Sequence, residues 1–314
     1  MASLIALIIP GYALRKAKMF SNGAVGALVS LLLYVCQPMI TLSSFLEQDA
    51  APTSKTAIFM GLSFLFSFVG HLVVFFVAKL IFFKWKNKEN ASAYIFATFF
   101  TNSGFLGIPF LKMLTDKPQA VLFAVIYNVV FNMLIWTLGI YILTGDKSSI
   151  SVKKAFLNPA ILPLFVALPL YFFPPINVIS GTPIANAISL LANMSAPLSM
   201  VVVGVRLADL GVKEAFKGWG NYLSSFVGLI LAPAILLAAA VSLKNIPYFN
   251  QNDLLFLAVP VILMAMPTAA SLVAFAEKTN RAKTESTRVF LTSTILSSLT
   301  IPLIILAVGA AGLI

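Results

Sequence analysis

Charge is scarce in this chain: Asp, Glu, Lys and Arg make up 10% of 314 residues, against 60% hydrophobic. A soluble domain carries about 25% charged residues, so a water-exposed globular fold is excluded. Histidine occurs once, as His71, and cysteine once, as Cys36. One of each leaves no disulfide framework and no thiolate cluster, and neither metal nor cofactor is expected. The acidic residues are few: Glu47, Asp49, Glu89, Asp116, Asp146, Asp209, Glu214, Asp253, Glu277 and Glu285. All map to loops or segment ends, so no carboxylate is available mid-membrane for a proton relay or a strong cation site. No His/Glu or Asp pair stands at helical ligand spacing, which leaves an intramembrane enzyme little acid–base or metal chemistry. Strand alternation is missing, which excludes a barrel, and no Gly-rich phosphate loop supports primary pumping. The net charge of +11 comes from short basic clusters without a basic face, so no nucleic-acid partner is expected.

What is present is length without charge, at a mean hydropathy of +0.99. Apolar segments run over about 1–14, 24–45, 56–83, 91–114, 120–143, 157–174, 182–206, 220–243, 254–276 and 289–312. Runs of about 20 apolar residues become helices in a bilayer, because hydrocarbon leaves the backbone no other partner. The expectation is an all-α polytopic membrane protein of ten spans, the first of them short. When the loops alternate sides, the 21 Lys and Arg divide 17 to 4. Positive residues stay cytoplasmic, so the count predicts an inner-membrane protein with both termini outside.

Three proline coincidences suggest duplication. Pro10 recurs as Pro169 and Pro38 as Pro197, both 159 residues on, and Pro109 recurs as Pro267 at 158. Five spans per half is an odd number, so the second copy enters the membrane inverted. The expected halves are residues 1–150 and 151–314.

Chemistry concentrates where spans are interrupted. Span 4 holds Asn102, Ser103, Gly104, Gly107 and Pro109 inside an apolar run, and span 9 holds Pro260, Pro267, Thr268 and Ser271. Proline removes a backbone bond and clashes with the preceding turn, so both helices are expected to break near the bilayer middle. Broken backbone survives there only where it lines protein or a wet cavity. Paired breaks in two halves point to a transport site, although packing kinks are common in membrane helices.

Asn102, Gly104, Gly107 and Pro109, with the run from Tyr127, APLSMVVVGVRLAD from Ala196 and PTAASLVAFAEKTN from Pro267, resemble the auxin efflux carrier family. The resemblance covers nearly the whole chain. It implies a scaffold part from spans 1, 2, 6 and 7, and a transport part from spans 3–5 and 8–10. It also implies a crossover of spans 4 and 9 at the prolines, an anionic substrate beside it, and elevator motion. A homodimer fits the analogy. The long hydrophilic loop of plant members is absent, since only residues 144–156 separate spans 5 and 6. That favours a short-loop member related to malonate-type carriers over a carrier of auxin itself.

Other polar residues complete the candidate set. Asn128 and Asn132 share one face of span 5, four residues apart. Gln37 beside Pro38, and Asn193 with Ser195 before Pro197, take matching places in spans 2 and 7, where the resemblance puts them on the scaffold side of the cavity and interhelical hydrogen bonding is the alternative. His71 falls mid-span, either as a proton-coupling group or as a neutral imidazole bonded to a neighbour. Without a central carboxylate, a small organic anion met by amides and helix N-termini fits better than a cation. Coupling stays open at this point: a proton would use His71 or the substrate's carboxylate, and Na+ would need carbonyl and hydroxyl oxygens. The function expected is a secondary transporter; an anion channel or a membrane sensor of the same fold is the alternative.

Overall fold

The computed structural model describes residues 6–21, 23–46, 52–159, 161–172, 179, 181–250 and 253–314. The start of span 1, the end of span 6, Glu47 and Asp49 lie outside the described residues. Among those described the chain is helical, and the one strand-like feature is an isolated bridge.

The helices are α1 (Ile8–Lys16), α2 (Ala24–Leu46), α3 (Ser54–Phe82), α4a (Lys88–Phe99), α4b (Ser103–Leu114), α5 (Pro118–Thr144), α6 (Leu164–Phe172), α7 (Pro183–Leu210), α8 (Trp219–Lys244), α9a (Leu255–Met264), α9b (Ser271–Thr279) and α10 (Lys283–Ala310). Six of them, α2, α3, α5, α7, α8 and α10, are long and apolar enough to cross a membrane, by length and composition. This is a polytopic membrane protein.

Local sequence sets the starts and the irregular turns. Thr53 caps α3, accepting from the Thr56 N–H at 3.2 Å, and Asn87 caps α4a through Asn90 at 3.1 Å. Proline occupies the first turn of α5, where its missing N–H costs nothing. Widened π-type turns interrupt α2 at Leu32–Cys36, α4b at Ser103–Gly107, α5 at Ile135–Gly139 and α8 at Val227–Leu231. Pro38, Pro109 and Pro233 each follow such a turn by two residues. The ring has no N–H for the carbonyl four residues back and presses on it, so the preceding turn opens.

Two groups of helices pack among themselves. In the first, α1 lies on α7 and α6 lies on α2, a reciprocal pairing. The α1–α7 crossing is backbone to backbone: a Cβ on Gly11 would stand 2.2 Å from the Val201 carbonyl oxygen, and one on Gly204 would stand 2.1 Å from that of Ile8. Glycine permits this close approach, which substitutes for hydrophobic driving force in lipid. In the second group α3 packs on α4a, α5 and α9a, and α10 on α4a, α8, α9a and α9b.

Polar contacts gather the helix ends into two sets. Arg15 pairs with Asp209 at 2.5 Å, Arg288 with Glu214 at 2.9 Å and with Glu285 at 2.7 Å, and the Tyr94 hydroxyl donates to Glu285 at 2.8 Å. The other set includes Lys55 with Asp253 at 2.7 Å, and Lys112 donating to the Ser43 hydroxyl at 3.5 Å.

Candidate functional site at the crossing of two broken helices

Helix α4a stops at Phe99 and α4b starts at Ser103; α9a stops at Met264 and α9b starts at Ser271. The two gaps cross as an antiparallel bridge between Thr101 and Thr268. The Asn102 N–H donates to the Pro267 carbonyl at 2.6 Å, and the Ala269 N–H to the Phe100 carbonyl at 2.8 Å. Each threonine then caps the other broken helix. The Thr101 hydroxyl donates to the Leu263 carbonyl at 2.8 Å, and the Thr268 hydroxyl to the Ala97 carbonyl at 3.1 Å. The Ala97 and Leu263 carbonyls near the ends of α4a and α9a thus each gain a donor from the other segment, Leu263 in addition to the Met266 N–H at 3.2 Å.

The breaks do not present their carbonyls to a solute, because the two gaps pair with each other. What faces outward is the pair of restarts, α4b and α9b, whose first N–H groups have no intrahelical acceptors and carry the positive end of the helix dipole.

The prolines also differ in role, although their spacing matches them. Pro267 lies in the gap of span 9, whereas Pro109 is in the first turn after the π-type turn of α4b, beyond the gap. Pro109 cannot donate to the Phe105 carbonyl four residues back, and the Ser195 hydroxyl of α7 donates to it instead, at 3.3 Å. Its effect is to open a backbone acceptor to a neighbouring helix. The crossover residue of span 4 is Thr101.

Both restarts border a cavity of about 190 Å³. Asn102, Gly104, Asn128, Asn132, Gln37 and Ser271 line it, six of the residues singled out from sequence. Gly104 is needed for space: a Cβ there would stand 2.7 Å from Gln37 Nε2, 2.9 Å from its Oε1 and 3.2 Å from Asn128 Oδ1. Asn128 is oriented by the Ser103 hydroxyl at 3.3 Å, and Asn132 donates to the Asn128 carbonyl at 2.7 Å. The Ser271 hydroxyl has no hydrogen-bond partner. Among the described residues, no lysine, arginine, aspartate, glutamate or histidine lines it.

The remaining candidates lie elsewhere. Ser103 is buried behind Asn128, and Gly107 makes room for Leu263, whose Cδ2 would be 2.6 Å from a Cβ. Thr268 and Pro267 belong to the crossing itself. Asn193 ends the first half of α7 as an exposed residue and does not line the cavity; Ser199, within the following half, does. His71 is fully buried on α3 and likewise does not line it.

Several lining residues escaped the sequence reading: Thr101, Phe105, Trp136, Asn158 and Phe275. The Trp136 and Phe275 rings meet edge-on at 5.2 Å. Asn158 precedes α6 and is buried; its amide donates to the Ala155 carbonyl at 2.6 Å. The one available signal was the Asn-Pro pair at 158–159, a turn marker that ends a helix.

A cavity between interrupted helices is one arrangement used in transport, and residues 1–305 match the family model described as membrane transport protein. The chain belongs to the membrane transport protein (auxin efflux carrier) family. No curated protein matches it. Auxin efflux carrier family proteins are transporters rather than enzymes. The uncharged lining suits that class, since amides and helix ends can bind a solute without reacting with it.

Proposed function

We propose that this protein is a secondary carrier of small organic anions, with ten spans in two inverted halves and an elevator-type alternating-access cycle. The observation that supports this most is the origin of the cavity walls. Gln37, Ser199 and Val202 come from α2 and α7, whereas Asn102, Asn128, Asn132 and Ser271 come from α4b, α5 and α9b and the turns that lead into them. A site shared by two helix groups is exposed to one side or the other when one group slides on the other. The carboxamides and two helix N-termini supply N–H donors for one carboxylate.

The test is transport by the purified protein in proteoliposomes, with radiolabelled dicarboxylates, hydroxy acids and aromatic acids. A carrier gives saturable uptake and accelerated exchange when unlabelled acid is loaded inside. Flux that never saturates and shows no exchange would replace the carrier by a channel.

A further inference from the structure

The carrier reading leaves an anion in a cavity without a cationic side chain. Behind the crossover stands the chain's one histidine. His71 is fully buried, and its Nδ1 donates to the Ser67 carbonyl at 2.7 Å. A carbonyl only accepts, so the proton sits on Nδ1 and Nε2 keeps a lone pair. Among the described residues that Nε2 has no hydrogen-bond partner. One and two turns back, the Ser67 and Ser63 hydroxyls are also fully buried and without partners among those residues. Spacing of four places all three groups on one face of α3. Buried polar atoms are nearly always satisfied, by protein or by ordered water, and a file of three on one face fits bound water.

The file has something at each end. One turn beyond Ser63, Phe59 lines a second cavity of about 450 Å³ together with Lys55, Thr56, Lys117 and Asp253. Phe59 stacks on Phe256 at 5.1 Å and stands one turn from Ser63 on the same face of α3. At the inner end the His71 ring lies 4.8 Å from that of Tyr127. The Tyr127 hydroxyl is 3.3 Å from that of Thr101, which lines the central cavity.

We propose that His71 is a proton-binding site, loaded through water along Ser63 and Ser67 from the second cavity, and that its imidazolium balances an anion at the crossover. In the loading step hydronium gives its proton to Nε2 and leaves as water, while Nδ1–H keeps its bond to Ser67; release is the reverse. Around the imidazole, α5 contributes Tyr127, α4a contributes Phe99, and α9a carries no titratable side chain. From α8 the neighbour is Leu236, against Gly70. The charges along α3 itself are Lys55 and Lys79, near its ends. Among the described residues no carboxylate faces the imidazole from these elements, so proton and anion stabilise each other's binding.

The inference rests on the carrier reading, but its test needs no substrate. Protein labelled with 15N-histidine in lipid nanodiscs gives a single imidazole in the NMR spectrum. Magnetisation transfer from water to that imidazole is expected, with reversible appearance of the doubly protonated form as the sample is titrated down from about pH 8 to about pH 4. Ser67→Ala removes one partner of the bound water and is expected to cut the transfer about tenfold. Phe59→Ala removes the ring that lines the second cavity one turn from Ser63 and is expected to increase it. An imidazole out of contact with water, or one neutral tautomer across the whole range, overturns the proposal. Failure of every acid to exchange in proteoliposomes overturns the carrier reading instead, and leaves a hydrated, titrating His71 standing.

Discussion

Gly104→Ala separates a binding defect from a folding defect. The new Cβ would meet the Gln37 amide at 2.7 and 2.9 Å, where ordinary contact begins near 3.4 Å, and Asn128 Oδ1 at 3.2 Å. The atoms in the way are the tip of a flexible side chain, so the amide swings aside. Overpacking of a rigid core costs about 1–3 kcal/mol, and this substitution falls at or below the low end of that range. Binding suffers more. One hydrogen bond to a charged group is worth about 1.5–3 kcal/mol, so a displaced Gln37 weakens apparent affinity roughly 10- to 100-fold. The assay is concentration-dependent exchange in proteoliposomes, with thermal unfolding measured in parallel. Adding Gln37→Ala to Gly104→Ala removes the clash, and the second change then costs little further affinity. An unaltered saturation curve for Gly104→Ala would refute the assignment of Gly104 and Gln37 to the site.

Other predictions follow from the same geometry. Thr268→Val removes the hydroxyl donor of the buried Ala97 carbonyl, and Thr101→Val leaves the Leu263 carbonyl with the Met266 N–H at 3.2 Å; Thr268→Val should cost about 1–3 kcal/mol in unfolding and Thr101→Val less, with non-additive loss in the double variant. Gly11→Ala and Gly204→Ala drive a Cβ into backbone at 2.2 and 2.1 Å; both are expected to prevent stable folding, seen as aggregation on size exclusion, and a well-behaved Gly204→Ala would contradict the close α1–α7 crossing. Glu214 is held below the usual carboxylate range by its hydrogen bond from Lys217 and then by Arg288. A depressed folded-state value means that its stabilisation is present above the unfolded value of about 4.3 and is lost as pH falls through the folded one. Protease cleavage after Lys213 or Lys217 at graded pH, with pH-corrected protease activity, should therefore rise only below about pH 4 in the wild type, and Arg288→Gln should move that rise to higher pH.

How far the sequence reached can be judged residue by residue. Hydropathy identified the apolar helices because charge is too rare to blur their ends, and glycine and proline marked the two interruptions. Asn128 and Asn132 were recognisable as one face from their spacing, and both line the cavity. Thr101 and Thr268 were harder to rank, because a threonine in an apolar run normally bonds its own helix; only the crossing gives each a carbonyl on the other chain segment. Pro109 and Pro267 shared an offset without sharing a place, since proline widens a turn in one span and sits in the gap of the other. Asn193 was chosen by its distance from Pro197, and linear spacing does not reveal that the helix turns it outward. The aromatic walls, Trp136 and Phe275, carried no signal among 27 phenylalanines and three tryptophans.

The crossing can be tested without a substrate. Thr101 and Thr268 face each other across an antiparallel bridge, where Cα separations of about 4.5–5.5 Å suit a disulfide. In a Cys36→Ala background, which removes the chain's one native thiol, Thr101→Cys with Thr268→Cys should cross-link in membranes under mild oxidation. A protease cut between the two positions would then leave the fragments joined until reductant is added. Fragments that separate without reductant, from protein that remains folded, would contradict the crossing of the two broken helices on which the proposed site depends.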